Sequence, residues 1–230
     1  MVDGWRRSAC LVLAALAMVV GVMALGAQQA QAAPTLRAQP FGANTCAGGF
    51  VWREAFAGDL VCVTPQARTT ARNENAAGPA NTAPGSQFCR SGFVWREARP
   101  SDLVCVVPAA RSRAYTENYN AAVNLADPAA IGRTLPVSVG TRSDSLQRYI
   151  TASGSGVSAS GRVDFWGIGL VPGRLAWLGS ATSNGNGAFG PVDIRSVRCP
   201  VDGPDSMNVV AVDQRTGRIT AAGSTWAYSC

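Results

Sequence analysis

The chain has 230 residues and a formal charge of +6, set by 20 arginines against 14 acidic residues, with no lysine and no histidine. This composition excludes Ser-His-Asp and Cys-His catalysis, Schiff-base and Ser-Lys chemistry, and the lysine of a phosphate-binding P-loop. The arginines are scattered rather than clustered with aromatics, which argues against nucleic-acid binding and suits weak attraction to an acidic cell wall or an anionic glycan.

Residues 1–32 have the three parts of a secretory signal peptide. Arg6 and Arg7 precede an apolar run over residues 9–27, and the A-x-A of Ala30 and Ala32 puts cleavage before Ala33. The run is nearly long enough to span a bilayer, so a retained anchor is the competing reading. The cleavage motif and the polar, proline-containing linker at 33–45 favour removal, after which no membrane span is expected. The Arg6–Arg7 pair hints at twin-arginine export, but the "SACLVL" after it departs from the fuller pattern.

Cys10 leaves with that segment. Six cysteines remain, Cys46, Cys62, Cys89, Cys105, Cys199 and Cys230, and an even count in an exported chain reads as disulfides. Internal repetition selects the pairing. Residues 46–75 align with 89–118 at an offset of 43, with 19 identities in 30 positions, and each copy carries two cysteines at one spacing. The predicted bridges are Cys46–Cys62, Cys89–Cys105 and Cys199–Cys230. Zinc is disfavoured, because there is no C-x-x-C and no histidine. No metal and no cofactor is expected.

The copies occupy 46–77 and 89–120, with linkers at 78–88 and 121–132 that read as polar and flexible. In each, "FVWREA" (50–55 and 93–98) alternates at period two and predicts a short strand, and "LVCV" (60–63 and 103–106) predicts a second. Glycine, proline, serine and aspartate between them favour a turn. Alternation puts Trp52 and Arg53 on opposite faces. The simpler arrangement buries Trp52 and exposes Arg53, which then reaches Asp59 across the hairpin end, as Arg96 reaches Asp102. Thr64 is an expected N-cap with Pro65 at the first helical position, and a short helix follows with Ala67 and Ala71 against the hairpin. Copy two has Val107 at the cap position, which predicts a weaker start. A unit of about 30 residues buries too little to fold alone, and closing a loop of about 17 residues with a disulfide adds roughly 3 kcal/mol.

From Arg133 the texture changes. "TLPVSV", "QRYITAS", "GRVDFWGI", "RLAWLGS", "FGPVDIRSV", "MNVVAVD" and "TWAYSC" alternate with glycine-rich turns, and predict an all-β sandwich over 133–230. The expected fold class is therefore mainly β: two small disulfide-stapled β-hairpin/short-helix repeats followed by an Ig-like β-sandwich.

Two resemblances bear on this. The copies "CAGGFVWREAFAGDLVCVTPQAR" and "CRSGFVWREARPSDLVCVVPAAR" look like a short repeat of secreted actinobacterial proteins, C-x2-G-[FY]-V-W-R-E-A-x3-D-x-V-C-V-x-P-x2-R. That resemblance implies location rather than chemistry, and the alanine-rich, arginine-only composition agrees with a GC-rich bacterial genome. The stretch "ITASGSGVSASGRVDFWGIG", with "NGNGAFG" and "VVAVDQRTGRITA", is similar to bacterial immunoglobulin-like modules, although Val157 and Ala159 stand where Phe and Pro are usual. Such modules serve as spacers or binding platforms.

The candidate binding residues are Arg53, Asp59, Arg96, Asp102, Trp177 and Trp226, since arginine clamps carboxylates or phosphates and aromatic faces stack on sugars. Trp166, Trp177, Trp226 and Tyr228 are each either core residues or stacking platforms, with core the expectation for most. No catalytic residue is assigned. Glu54 with Asp59, or Glu97 with Asp102, is the nearest approach to the paired carboxylates of a glycoside hydrolase, but turn-shaping aspartates and arginine-paired glutamates explain them more simply. The expected function is a secreted, non-enzymatic cell-envelope or extracellular binding and spacer protein whose partner is a cell-wall glycan or an envelope protein. An extracellular hydrolase and a purely structural protein are the alternatives.

Overall fold

A computed structural model describes residues 41–144, 147–171, 174–198 and 206–225. The expected signal segment, Cys199, Cys230, Trp226 and Tyr228 lie outside the described residues. The protein is mainly β. Among the described residues, no helix is long and apolar enough to cross a membrane.

Each copy begins with a hairpin of two very short strands, β1 (Val51–Trp52) with β2 (Cys62–Val63), and β3 (Val94–Trp95) with β4 (Cys105–Val106). Pairing is antiparallel, with Trp52 opposite Cys62 and Trp95 opposite Cys105. The strands stop early because Glu54 and Glu97 adopt left-handed backbone, φ 58° and 54°, which turns the chain away. The aspartate of each turn then locks the reversal: Asp59 accepts from the Ala55 amide at 3.0 Å, and Asp102 from the Ala98 amide at 3.1 Å. Bridges join Cys46 to Cys62 and Cys89 to Cys105, as the spacing predicts.

Helix α1 (Pro65–Asn81) starts where expected, with the Thr64 hydroxyl accepting from the Ala67 amide at 3.2 Å. Helix α2 (Pro108–Tyr119) starts after Val107, which supplies no side-chain cap. The segment 78–88, expected as a flexible linker, is instead built into the fold. Helix α1 runs through Gly78 to Asn81, and Gly78 packs so closely on copy two that a Cβ there would stand 3.0 Å from Val104 Cγ1.

The two copies are joined crosswise. Asn81, at the end of α1, donates to the Cys105 carbonyl at 3.1 Å, and its counterpart Asn124, beyond α2, donates to the Cys62 carbonyl at 2.8 Å. Thr82 bridges to Cys89, and Leu125 to Cys46. Each helix is thus tied to the hairpin of the other copy, with Ala55, Ala98, Ala71 and Ala114 packed together between them. The segment 121–132, also expected as a linker, supplies buried Ala121, Ala122, Leu125 and Ile131.

Seven longer strands follow: β5 (Val137–Ser143), β6 (Gln147–Gly154), β7 (Arg162–Val171), β8 (Arg174–Thr182), β9 (Phe189–Arg198), β10 (Met207–Asp213) and β11 (Arg218–Thr225). They form two antiparallel sheets, in the orders β11-β10-β7-β8 and β5-β6-β9. One apolar core lies between the sheets, with Val137 and Ile150 from one and Phe165, Leu178 and Val209 from the other. The last strand differs from expectation. Arg218–Thr225, a run rich in small residues, forms β11, whereas "TWAYSC" lies almost wholly outside the described residues.

Strand β10 is buried at every position but Asn208, which accounts for its near-continuous "VVAV". Its second face packs against the repeats: Val210 and Val212, with Trp166 of the neighbouring β7, meet Val61, Val63, Ala121 and Ala122. Repeats and sheets belong to one compact unit, Ala38–Cys230. Gly217, in the β10–β11 turn, lies close against the first repeat. Its φ is +68°, and a Cβ there would lie 2.4 Å from Val61 Cγ2.

Candidate binding surface

Trp52 and Arg53 do sit on opposite faces of the hairpin, but burial is the reverse of the expectation. Arg53 is 1 % exposed and Arg96 is 2 % exposed, while Trp52 and Trp95 are half-buried. The arginine face is covered because the helix of the other copy lies on it.

Arg53 donates to both Asp59 carboxylate oxygens, at 2.7 and 3.2 Å, which makes a bidentate pair. Its remaining donors cross to α2, to Glu117 at 3.2 Å and Asn118 Oδ1 at 2.9 Å. Arg96 repeats this with Asp102, at 2.8 and 3.1 Å, and crosses to α1 at Glu74, 3.4 Å away. The symmetry breaks at one atom. Arg96 Nη2 donates to the Ala55 carbonyl at 3.0 Å, and Asn75, the counterpart of Asn118, keeps a buried Oδ1 with no partner.

Four of the expected binding residues are therefore brought together in one buried network. The carboxylate pairs are drawn apart by the same arrangement. Asp59 and Asp102 are buried against arginine, while Glu54 pairs with Arg72 and Glu97 with Arg111 at the surface. Burial holds the Glu117 carboxyl above its usual 4.5, against the opposing pull of Arg53. A raised folded pKa means the native protein holds this proton more tightly than the unfolded chain. Glu117's contribution to stability is thus full below about pH 4.5 and is lost as pH rises through the folded value. Urea unfolding of Glu117→Gln across this range is expected to lack that falling limb.

Trp177 remains 44 % exposed on β8, the most open of the described tryptophans that the sequence pointed to. Its indole N–H donates to Asp164 Oδ1 at 3.3 Å, an atom that also accepts from Arg162 Nε at 2.9 Å. Trp166 is a core residue, buried edge-on against Tyr119 with ring centroids 5.2 Å apart.

One open groove went unassigned in the sequence. A groove of about 440 Å³ runs where the first hairpin turn meets the β10–β11 turn, lined by Phe56, Leu60, Arg99, Leu125, Arg218 and Ile219 among others. A second hollow of about 450 Å³ shares its Phe56 and Arg99 wall and reaches Asn75 and Gly78. Phe56 and Arg99 occupy equivalent positions of the two copies, and the Arg99 guanidinium stacks 4.1 Å over the Phe56 ring. Arg99 Nε is buried with no hydrogen-bond partner. The signal for this site is the place where the copies differ, "AFAGD" against "ARPSD". Among the described residues, no group of three His, Cys, Asp or Glu side chains is arranged to hold a metal. The chain matches no protein-family model, no curated protein and no solved structure.

Proposed function

We propose that the protein is exported and acts outside the cell, or at its envelope, as a non-enzymatic binding and spacer module. The observation that carries this reading is the groove at the junction of the repeats and the four-stranded sheet. Its wall holds an arginine that stacks on a phenylalanine and has no carboxylate partner among the described residues. A concave site of this size, with polar groups set among apolar ones, has the anatomy of a ligand pocket. The two disulfides agree with an oxidising compartment and so support export. The strand orders, with the first, second and fifth long strands in one sheet and the seventh, sixth, third and fourth in the other, support an immunoglobulin-type sandwich as the platform.

The partner this reading favours is a cell-wall glycan or an envelope protein. The test is retention of the purified protein on envelope material of the producing cell, washed at physiological salt. Retention is expected, and a protein that passes through unretained would overturn the binding reading.

A further inference from the structure

We propose that the groove is an anion site, and that it takes a carboxylate or phosphate group carried on an acidic extracellular glycan. The inference rests on the binding reading above and adds the ligand's chemistry and the residues that hold it.

The starting point is an imbalance of charge. Among the described residues, eight arginines are ion-paired with carboxylates. Arg53 and Arg96 have Asp59 and Asp102, Arg72 has Glu54, Arg113 has Glu74, and Arg142 has Asp193. Arg99 is not among them. The aspartate of its own turn, Asp102, is committed to Arg96, and that of the opposite turn, Asp59, to Arg53. Arg99 is left with an aromatic ring on one face and a buried Nε without a partner. That Nε is closed off from solvent, so what Arg99 offers the groove is the rest of its guanidinium, which no described carboxylate neutralises.

Arg218 brings a second positive charge to the same groove. It is exposed at the start of β11, and its one described side-chain hydrogen bond is a long one, 3.5 Å, to the Thr134 carbonyl. No described carboxylate lies within ion-pair distance of it. Two arginines without counter-ions thus line one hollow, whose one acidic lining residue, Asp59, is held by Arg53, with Leu60, Leu125 and Ile219 as apolar lining. The fork of donors on a guanidinium matches the planar oxygens of a carboxylate or the face of a phosphate. The apolar lining suits the carbon face of a sugar ring. About 440 Å³ falls within the range of small-ligand sites, roughly 300–1,000 Å³. A protein partner would more commonly spread over about 800 Å² of each surface, so one acidic sugar unit of a polymer is the better fit.

The test measures binding of the purified full chain, at physiological salt, to polygalacturonate, to poly(glycerol phosphate) and to neutral dextran. Binding is expected to one or both acidic polymers and not to dextran, and the polymer preferred identifies the acid. Arg99→Gln and Arg218→Gln are each expected to weaken that binding at least about tenfold, the loss of one charge-assisted hydrogen bond. Arg195→Gln, which removes the same charge from β9 on the other sheet, is expected to leave it within about twofold, as salt screening of a distant charge allows. Arg218 is exposed, so its variant keeps the test valid should Arg99→Gln disturb the turn. Equal weakening by all three variants would reduce the effect to net charge and overturn the site. Retention on envelope material without binding to either acidic polymer would overturn the anion site alone, leaving the binding reading intact.

Discussion

Arg53→Met is expected to destabilise the protein by about 3–5 kcal/mol, the range for breaking a buried ion pair from one side. The guanidinium is 1 % exposed and satisfies Asp59, Glu117 and Asn118 at once. Methionine restores much of the volume but leaves Asp59 buried with no cation and Glu117 with Arg113 alone. An exposed arginine would instead change stability by no more than about 0.5 kcal/mol, so urea unfolding separates the two situations cleanly. Arg96→Met is expected to cost a similar amount, because Asp102 and Glu74 stand in the same relation to it. Adding Glu117→Gln to Arg53→Met is expected to recover part of the loss, since one stranded charge is then gone. A cost below about 1 kcal/mol for both single variants would mean that the arginines do not brace the copies.

Gly217→Ala is the second large effect. The position has left-handed φ, +68°, which costs a non-glycine residue roughly 1–2 kcal/mol. The added methyl would also stand 2.4 Å from Val61 and 3.0 Å from Asn118 Oδ1. Overpacking of this kind typically adds about 1–3 kcal/mol, for a total of about 2–5 kcal/mol. Asn118 is itself bonded to Arg53, so the strain enters the buried network directly. Gly185→Ala provides the control, because a Cβ there meets nothing within 4 Å. Thermal unfolding is expected to show a clear drop in Tm for Gly217→Ala and little change for Gly185→Ala. Similar melting of the two would mean that the repeats do not bear closely on the sheet.

Local features were well marked in the sequence. Cysteine spacing predicts the two observed bridges, and Thr64, Pro65 and Val107 predict how the helices begin. The Arg53–Asp59 and Arg96–Asp102 contacts also follow from hairpin geometry. Which face of the hairpin is buried does not follow, because the covering groups come from 61 to 65 residues away in the chain. Alternation identifies opposite faces and is silent about what lies on each. The candidate groove was hidden for a related reason. Repetition draws the eye to identical positions, whereas Phe56 and Arg99 matter through being different. Strand β11 was missed because Ala221, Ala222 and Gly223 carry little strand propensity of their own; buried Ala222 and Thr225 gain their place from the sheet.

The crosswise joining of the copies sets a rule of parity. A single copy would present an arginine with half its acceptors missing and a helix bound to one hairpin where it now binds two, so the smallest complete unit is two. Whether the two come from one gene or from two identical subunits makes no difference to the contacts. Tandem duplication here amounts to a dimer whose concentration dependence has been removed by covalent linkage. Once linked, the halves were free to diverge at Phe56 and Arg99, and a symmetric pair cannot place two different residues there.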